Sequence, residues 1–418
     1  MQDVQREPDR NHALDALRGF ALLAGIVLHA TMSFIPGLLA IPGLPAPEKS
    51  PSVTLAVAFF VIHVFRMATF FLIAGFFAHL MFHKQGLAGF VRDRAKRILV
   101  PLLAGWIVVG PLVVAAMWWG AVRAYGHLPA NPQAGSPGLP LFHLWFLYVL
   151  ILLYVAVICV RYCFIIPGAD RSRRVRAAVD AGVHFLVKHD ALALVLAVPS
   201  AIVLSLAPRL HTLAGMWAGV PTPDTGFVPN RPSLVVFGTA FAVGWLLHRQ
   251  PGLLRTWAER WARHAAVAVA AMGVCLCITG LTPDLSNRAV QPFVTQLVCA
   301  SCYGIAIWSS VFAIVGLAVR YASGYSATRR YLADSSYWLY LLHLPLVFFL
   351  QSAFAPLQLT WVIKFPLILA LTLGVLLASY ELLVRHSFLG ALLNGRRVPR
   401  TARARVFPQL GPITSADE

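Results

Sequence analysis

The chain has 418 residues, of which 59% are hydrophobic and 12% are charged, and its formal net charge at pH 7 is +18. Soluble domains carry about 25% charged residues, so this composition excludes an ordinary soluble protein and favours one that lies in a lipid bilayer. The positive charge does not indicate nucleic-acid binding, because the Lys and Arg residues are spread between apolar segments and do not form one basic face.

Ten apolar segments are candidates to cross a hydrocarbon layer about 30 Å thick. In chain order they are Ala13–Phe34, Val53–Phe82, Ile98–Trp119, Leu141–Ile166, Ala191–Ala207, Ser233–Leu247, Ala265–Leu281, Phe293–Val319, Ser335–Phe354 and Trp361–Val384. The polar stretches between them are too short for a soluble domain. The sequence therefore predicts an all-α polytopic membrane protein, a bundle of about ten transmembrane helices.

The positions of the Lys and Arg residues indicate the orientation of this bundle. Most of the 34 fall in alternate loops, and those loops are cytoplasmic if the N-terminus is cytoplasmic. This distribution is the one described by the positive-inside rule. Because an odd number of spans would destroy it, both termini are predicted to be cytoplasmic. The expected organisation is an N-terminal tail at residues 1–12, a transmembrane domain at 13–384 and a basic C-terminal tail at 385–418.

The first apolar segment contains two basic side chains, Arg18 and His29. Eleven residues make about three helical turns, so the two share a face of the helix and lie about 16 Å apart along its axis. An ionisable residue inside a membrane helix is costly and usually points into the bundle. This face is therefore predicted to line the interior, and Asp15, close to the same face, is expected to pair with Arg18.

Further ionisable residues lie within later segments or at their edges. His63 and Arg66 are three residues apart and share a face of the second segment, and His79, His143 and His343 follow. A single membrane histidine is often satisfied by an interhelical hydrogen bond. Several histidines together with two arginines at depth favour a polar interior instead. The six cysteines lie in or at the ends of apolar segments, where packing explains them, so no metal site is expected.

Several motifs, in this order along the chain, resemble those of the membrane acyltransferase 3 family. They are Leu14-Asp15-Ala16-Leu17-Arg18-Gly19-Phe20 with the R-x10-H spacing of Arg18 and His29, Phe70-Phe71-Leu72-Ile73-Ala74-Gly75-Phe76-Phe77, Arg94-Ala95-Lys96-Arg97, and His143-Leu144-Trp145-Phe146-Leu147. Near the end, residues 335–345, which include His343-Leu344-Pro345, and residues 380–385 are similar to the glucan biosynthesis protein C branch of that family. The resemblance extends over nearly the whole chain.

The resemblance implies acyl transfer across a membrane, from a cytoplasmic acyl-CoA to a hydroxyl of an extracytoplasmic saccharide such as a periplasmic glucan. The transferred group would be acetyl or succinyl. Acyl-CoA would be a donor substrate, so no permanently bound cofactor is expected, and the protein would be a multi-pass protein of the bacterial inner membrane. The sequence leaves the oligomeric state open.

The residues themselves suggest roles in such a reaction. Arg94 and Arg97, near the inner end of the third segment, are expected to hold the phosphates of coenzyme A. Arg18, near the same membrane surface, is expected to hold either the pyrophosphate or the pantetheine arm. His29 is the candidate general base, because neutral imidazole titrates near working pH. The candidate donors to the tetrahedral oxyanion are Arg66, His63 and His343. Direct transfer and transfer through an acyl-histidine both stay open.

A second class of function would also explain buried histidine and arginine residues. A proton-coupled secondary transporter or a saccharide exporter uses such groups along its transport path. Transporters of this kind commonly have repeated halves, and the sequence has no detectable internal repeat. This favours the acyltransferase, with the transporter as the alternative.

Overall fold

The computed structural model describes residues 12–38, 48–127, 140–165, 169–223 and 228–394. Within these residues every regular element is helical, and there is no strand. The helices are α1 (His12–Thr31), α2 (Val53–Arg94), α3 (Val100–Tyr125), α4 (Trp145–Val160), α5 (Ala169–Lys188), α6 (Leu192–Ser205), α7 (Leu213–Ala218), α8 (Arg231–Leu247), α9 (Gly252–Thr279), α10 (Phe293–Ala322), α11 (Ala327–Phe354), α12 (Trp361–Ser379) and α13 (Phe388–Asn394). The prediction of an all-helical membrane protein is confirmed at this level.

Seven helical segments of the described chain are long and apolar enough to cross a membrane, or eight if α5 and α6 count as one bent span. Each of the ten predicted segments lies on a helix, but two of them fall within the continuous segment Val53–Tyr125, and α8 is short. The axes of α5 and α6 differ by 107°. The count of ten and the cytoplasmic side of both termini therefore stay predictions. Most of the predicted tails, residues 1–11 and 395–418, lie outside the described residues.

The helix α1 lies at the centre of the bundle. It packs against α2, α10, α11 and α12, and most of its side chains are buried. Its last turn gives way to a 3-10 turn at Met32–Phe34, which leaves carbonyl groups near its end without helical partners. Gln351 of α11, itself buried, supplies the missing donors, because its Nε2 lies 3.0 Å from the carbonyl oxygens of His29 and Ala30.

Glycines bring some of the helices into backbone contact. A Cβ atom on Gly75 of α2 would overlap the carbonyl oxygen of Phe241, and one on Gly244 of α8 would overlap that of Leu72. Small residues at such crossings are how membrane helices approach closely. A different glycine, Gly86, has φ 68° and interrupts α2 just beyond the predicted second span. The break lets a short helical stretch carry Arg94 and Arg97 toward α3.

A buried ion pair fixes the chain just before α2. Lys364 of α12 donates to the carboxylate of Glu48 at 2.5 Å, and both side chains are 0% exposed. The backbone N–H of Glu48 donates to Ser33, and that of Ser52 to Phe34. The segment after α1 is thereby tied both to the end of α1 and to α12.

Candidate active site

A cavity of 1490 Å³ runs along α1, from residues near its start to residues beyond its end. We call the end near Arg18, Arg94 and Arg97 the proximal end, and the end near Pro221, Thr222, Pro283 and Leu285 the distal end. All of the predicted site residues line this one cavity: Arg18, His29, His63, Arg66, Arg94, Arg97 and His343. The structure thus brings together residues that lie as far as 325 positions apart in the sequence.

Three imidazole rings meet in the middle of the cavity. The ring centroid of His343 lies 5.2 Å from that of His29 and 5.1 Å from that of His143. The sequence places His143 at the edge of a predicted span and within a family-like motif, but it gives no reason to assign a role to this residue. The rings that it contacts, those of His343 and Tyr340, both belong to α11, and no local spacing predicts that they meet.

Hydrogen bonds to backbone carbonyls fix the proton on two of these rings. Nδ1 of His343 lies 2.7 Å from the carbonyl oxygen of Tyr340, and Nε2 of His143 lies 3.0 Å from that of Leu341. A carbonyl oxygen only accepts, so each of these nitrogens carries a hydrogen. In the neutral rings, Nε2 of His343 and Nδ1 of His143 therefore hold lone pairs. Both atoms are buried without a partner among the described residues.

His29 presents a third lone pair. Its Nδ1 lies 3.4 Å from the thioether sulfur of Met32, and because thioether sulfur accepts weakly and never donates, the contact fits a hydrogen on Nδ1. Nε2 is then the basic nitrogen. Met32 is not among the predicted site residues, although its spacing of three residues from His29 within a helical turn is a readable signal.

Arg66 lies beside α1 and one helical turn from His29. A Cβ atom on Gly25 would lie 2.5 Å from the Arg66 Nη1 atom, so the guanidinium would have to shift if residue 25 carried a side chain. No carboxylate among the described residues pairs with Arg66, and its Nε is buried without a partner. The neighbouring His63 donates from Nε2 to the Val220 carbonyl at 3.2 Å, which occupies its N–H.

The proximal end is built from arginines held by carboxylates. Arg18 lies 3.6 Å from Asp15, which confirms the predicted pair, and donates to the Ala333 carbonyl at 2.9 Å. The Asp93 carboxylate bridges the other two arginines, at 2.6 Å from Arg94 Nη2 and 3.0 Å from Arg97 Nε. Asp93 is not among the predicted site residues, although its i,i+4 spacing to Arg97 could have indicated the pair.

Both bridged guanidinium groups keep donors for another anion. Arg94 lies against the rings of Phe90 and Tyr154, each 5.6 Å from its Cζ. Arg97 uses only its Nε toward Asp93, and its side chain is 36% exposed. Arginine presents its N–H groups in a planar fork that matches phosphate oxygens. The proximal end therefore has the chemistry of a site for a polyanion.

One predicted interior histidine does not join this site. His79 of α2 lies away from the cavity, with its Nδ1 3.0 Å from Nδ1 of His248 and its ring 4.3 Å from that of His83. The six cysteines are free thiols. Among the described residues, no group of three or more His, Cys, Asp or Glu side chains could hold a metal ion.

The chain is similar to known proteins over nearly its whole length. The chain is 23% identical over 406 residues to the glucans biosynthesis protein C of Salmonella gallinarum and 24% identical over 410 residues to that of Salmonella typhimurium. Each alignment covers 95% of this chain and 98% of the relative. No solved structure matches the chain. The family model of the acyltransferase 3 family, described as an acyltransferase domain, matches residues 11–381. The chain therefore belongs to the acyltransferase 3 family and is a multi-pass membrane acyltransferase.

Proposed function

We propose that this acyltransferase moves an acetyl or succinyl group from cytoplasmic acyl-CoA to a hydroxyl of an extracytoplasmic saccharide such as a glucan, across the bacterial inner membrane. The single observation that carries the proposal is the continuous cavity. It joins an arginine-lined proximal end to a central group of imidazoles and to an uncharged distal end. The name of the relatives supports a glucan as the acceptor.

The donor would bind at the proximal end. The phosphates of coenzyme A would contact Arg18, Arg94 and Arg97, whose guanidinium groups Asp15 and Asp93 already hold in place. On the helix α1, Arg18 and His29 are about 16 Å apart along the axis. The extended pantetheine arm would carry the thioester along this stretch of the cavity.

The reaction would be direct attack of the acceptor hydroxyl on the thioester carbonyl. His29 would remove the hydroxyl proton through Nε2, the nitrogen left free by its contact with Met32. Among the three candidate oxyanion donors, Arg66 is favoured, because the described hydrogen bonds of His63 and His343 occupy their N–H groups. Arg66 has N–H groups in every protonation state of the site and no carboxylate partner among the described residues.

The proposal can be tested in inside-out membrane vesicles loaded with a glucan oligosaccharide. Labelled acetyl-CoA and succinyl-CoA, supplied separately outside, should lose their thioester and label the enclosed saccharide. The variant His29→Ala should abolish this transfer, whereas His184→Ala, which changes an exposed histidine of α5, should not. Membrane insertion of both variants is checked by their yield in the vesicles.

Two results would contradict the proposal. Movement of a solute without release of coenzyme A would indicate the proton-coupled transporter or saccharide exporter. Normal labelling by well-inserted His29→Ala protein would remove His29 from the mechanism.

A further inference from the structure

The two partnerless imidazole nitrogens in the centre of the cavity are unusual. Nε2 of His343 and Nδ1 of His143 are buried acceptors with no donor among the described residues. Buried polar atoms in proteins are normally hydrogen-bonded, so each exception calls for an explanation. The hydrogen bonds to Tyr340 and Leu341 keep both rings in the tautomers that leave these lone pairs vacant. Beside the candidate base, two buried nitrogens therefore have lone pairs that can accept a proton.

The position of His343 along the cavity shows from which end of the cavity its ring reaches His29. The first turns of α11 lie at the proximal end, because the Tyr337 hydroxyl donates to the Arg97 carbonyl at 2.5 Å. Farther along the same helix, Gln351 lies at the level of His29. His343 is eight residues, or about 12 Å, before Gln351 along the helix. The His343 ring therefore contacts His29 from the side on which the acyl donor would arrive.

From this geometry we propose that His343 carries the acceptor's proton from His29 to the sulfur of the departing coenzyme A, with His143 as a positioning residue. The inference rests on the proposed function. The acceptor O–H proton passes to His29 Nε2 as the new C–O bond forms. It then moves to Nε2 of His343, and when the C–S bond breaks it ends on the thiolate. One ester and one thiol result, and both rings return to their neutral state.

The surroundings of His343 do not stabilise its protonated form, so the ring would release the proton and not retain it. The ionisable groups that face it are His29 of α1, Arg66 of α2, His143 from the turn before α4, and Tyr340 of its own helix. Among the described residues that line the cavity, the carboxylates are Asp15 and Asp334, both at the proximal end. No carboxylate therefore stabilises an imidazolium in the centre, and the charge is transient.

His143 would assist through its own vacant nitrogen. Its ring stands nearly perpendicular to that of His343, with an interplanar angle of 81°. It is held on both sides, because its Nε2 donates to Leu341 and its carbonyl oxygen accepts from the Tyr340 hydroxyl at 2.8 Å. In the proposed relay, this fixed lone pair on His143 would orient the N–H of protonated His343.

The test compares two donors that differ in the basicity of the leaving group. Purified full-length protein in lipid vesicles is given the acyl-CoA that it uses, acetyl-CoA or succinyl-CoA, and the corresponding selenoester, whose selenolate leaves without a proton. The key variant is His343→Asn, because the amide N–H can replace Nδ1–H toward Tyr340 while Nε2 is lost. With the thioester, kcat should fall roughly 100-fold or more, as expected when a general acid is removed. With the selenoester it should fall much less.

Matched variants separate this role from structural support. His29→Gln should lose transfer from both donors to the same extent. His143→Gln, which can keep a donor for Leu341, should show a smaller version of the His343→Asn pattern with the KM of both substrates unchanged. His343→Gln replaces His343→Asn if the latter does not fold.

Equal losses of His343→Asn with both donors, or native activity with the thioester, would overturn the inference and leave the proposed function standing. If the native protein transfers acyl groups from neither donor, the proposed function fails, and the inference fails with it.

Discussion

The two ends of the cavity differ in the charge of the side chains that line them. The proximal end carries Arg18, Arg94 and Arg97 with the carboxylates of Asp15 and Asp334. The described part of the chain contributes no charged side chain to the distal end. The apolar and neutral residues that line it are Leu38, Phe59, Trp217, Pro221, Thr222, Pro283 and Leu285. If the two substrates bind as proposed, one cavity presents ionic recognition to coenzyme A and neutral recognition to the saccharide.

The contrast extends to the ion pairs. Those of the proximal end are partly exposed, and their arginines line the cavity, where a ligand can compete for them. The pair of Glu48 and Lys364 near the other end of α1 is fully buried and lies outside the cavity. In the proposed function, the charges of the proximal end serve binding, whereas the buried pair near the distal end serves the fold.

Breaking the buried pair should have the largest effect on stability. Lys364→Met leaves Glu48 as an uncompensated buried charge, which costs about 3–5 kcal/mol. The double variant Glu48→Gln/Lys364→Met should recover part of that loss. Unfolding in mixed detergent micelles measures both, and an equal loss in the single and the double variant would contradict this explanation.

Removing the guanidinium in the middle of the cavity should lower kcat. Arg66→Gln takes away the favoured oxyanion donor, and the expected loss is about 10²–10³-fold. KM for each substrate should change little, because Arg66 acts on the transition state. Gly25→Ala should cause a smaller loss in the same direction, since its methyl group would displace the Arg66 side chain. Steady-state kinetics with both substrates varied measures these effects; a change in KM alone would contradict the role.

Weakening anion binding at the proximal end should affect the KM of only one substrate. Arg97→Ala removes charge-assisted hydrogen bonds worth about 1.5–3 kcal/mol, so the KM for acyl-CoA should rise roughly tenfold or more. The KM for the saccharide should stay unchanged. Arg92→Ala is the matched control, because Arg92 is an exposed neighbour that does not line the cavity. An unchanged KM for acyl-CoA in Arg97→Ala would refute the assignment of the donor site.

Salt should produce the smallest of these effects, a difference between the two substrates in how KM depends on ionic strength. Raising ionic strength screens the partly exposed arginines of the proximal end and should increase the KM for acyl-CoA severalfold. A neutral saccharide at the distal end has no such dependence. Equal salt effects on both KM values would show that charge also contributes to acceptor binding.

Features carried within a single helix were predictable from the sequence. The apolar runs, the shared face of Arg18 and His29, and the pair of Asp15 and Arg18 follow from helical periodicity. The bend between α5 and α6 and the interruption at Gly86 were not predicted, because apolar periodicity carries no information on the direction of a helix axis. The number of membrane crossings stays open for the same reason.

The convergence of separate helices was only partly predictable. The sequence placed His63, Arg66 and His343 at membrane depth, but it did not predict the contact of His343 with His143. That contact depends on how α11 packs against the turn before α4. His79 has the same composition-based signal as the cavity histidines and lies elsewhere, paired with His248. A polar residue deep in an apolar segment is therefore predicted to lie inside the bundle, but the sequence does not say which neighbour it contacts.

The amide of Gln351 binds the end of α1 to α11, the helix that also carries His343. Because one side chain holds both carbonyls at this point, the two helices are expected to move as one body at the level of the reacting imidazoles. Neighbouring helices can then shift to admit a bulky oligosaccharide while the spacing between His29 and His343 is preserved. In the proposed mechanism, substrate entry and proton transfer would thereby be mechanically separated within the same bundle.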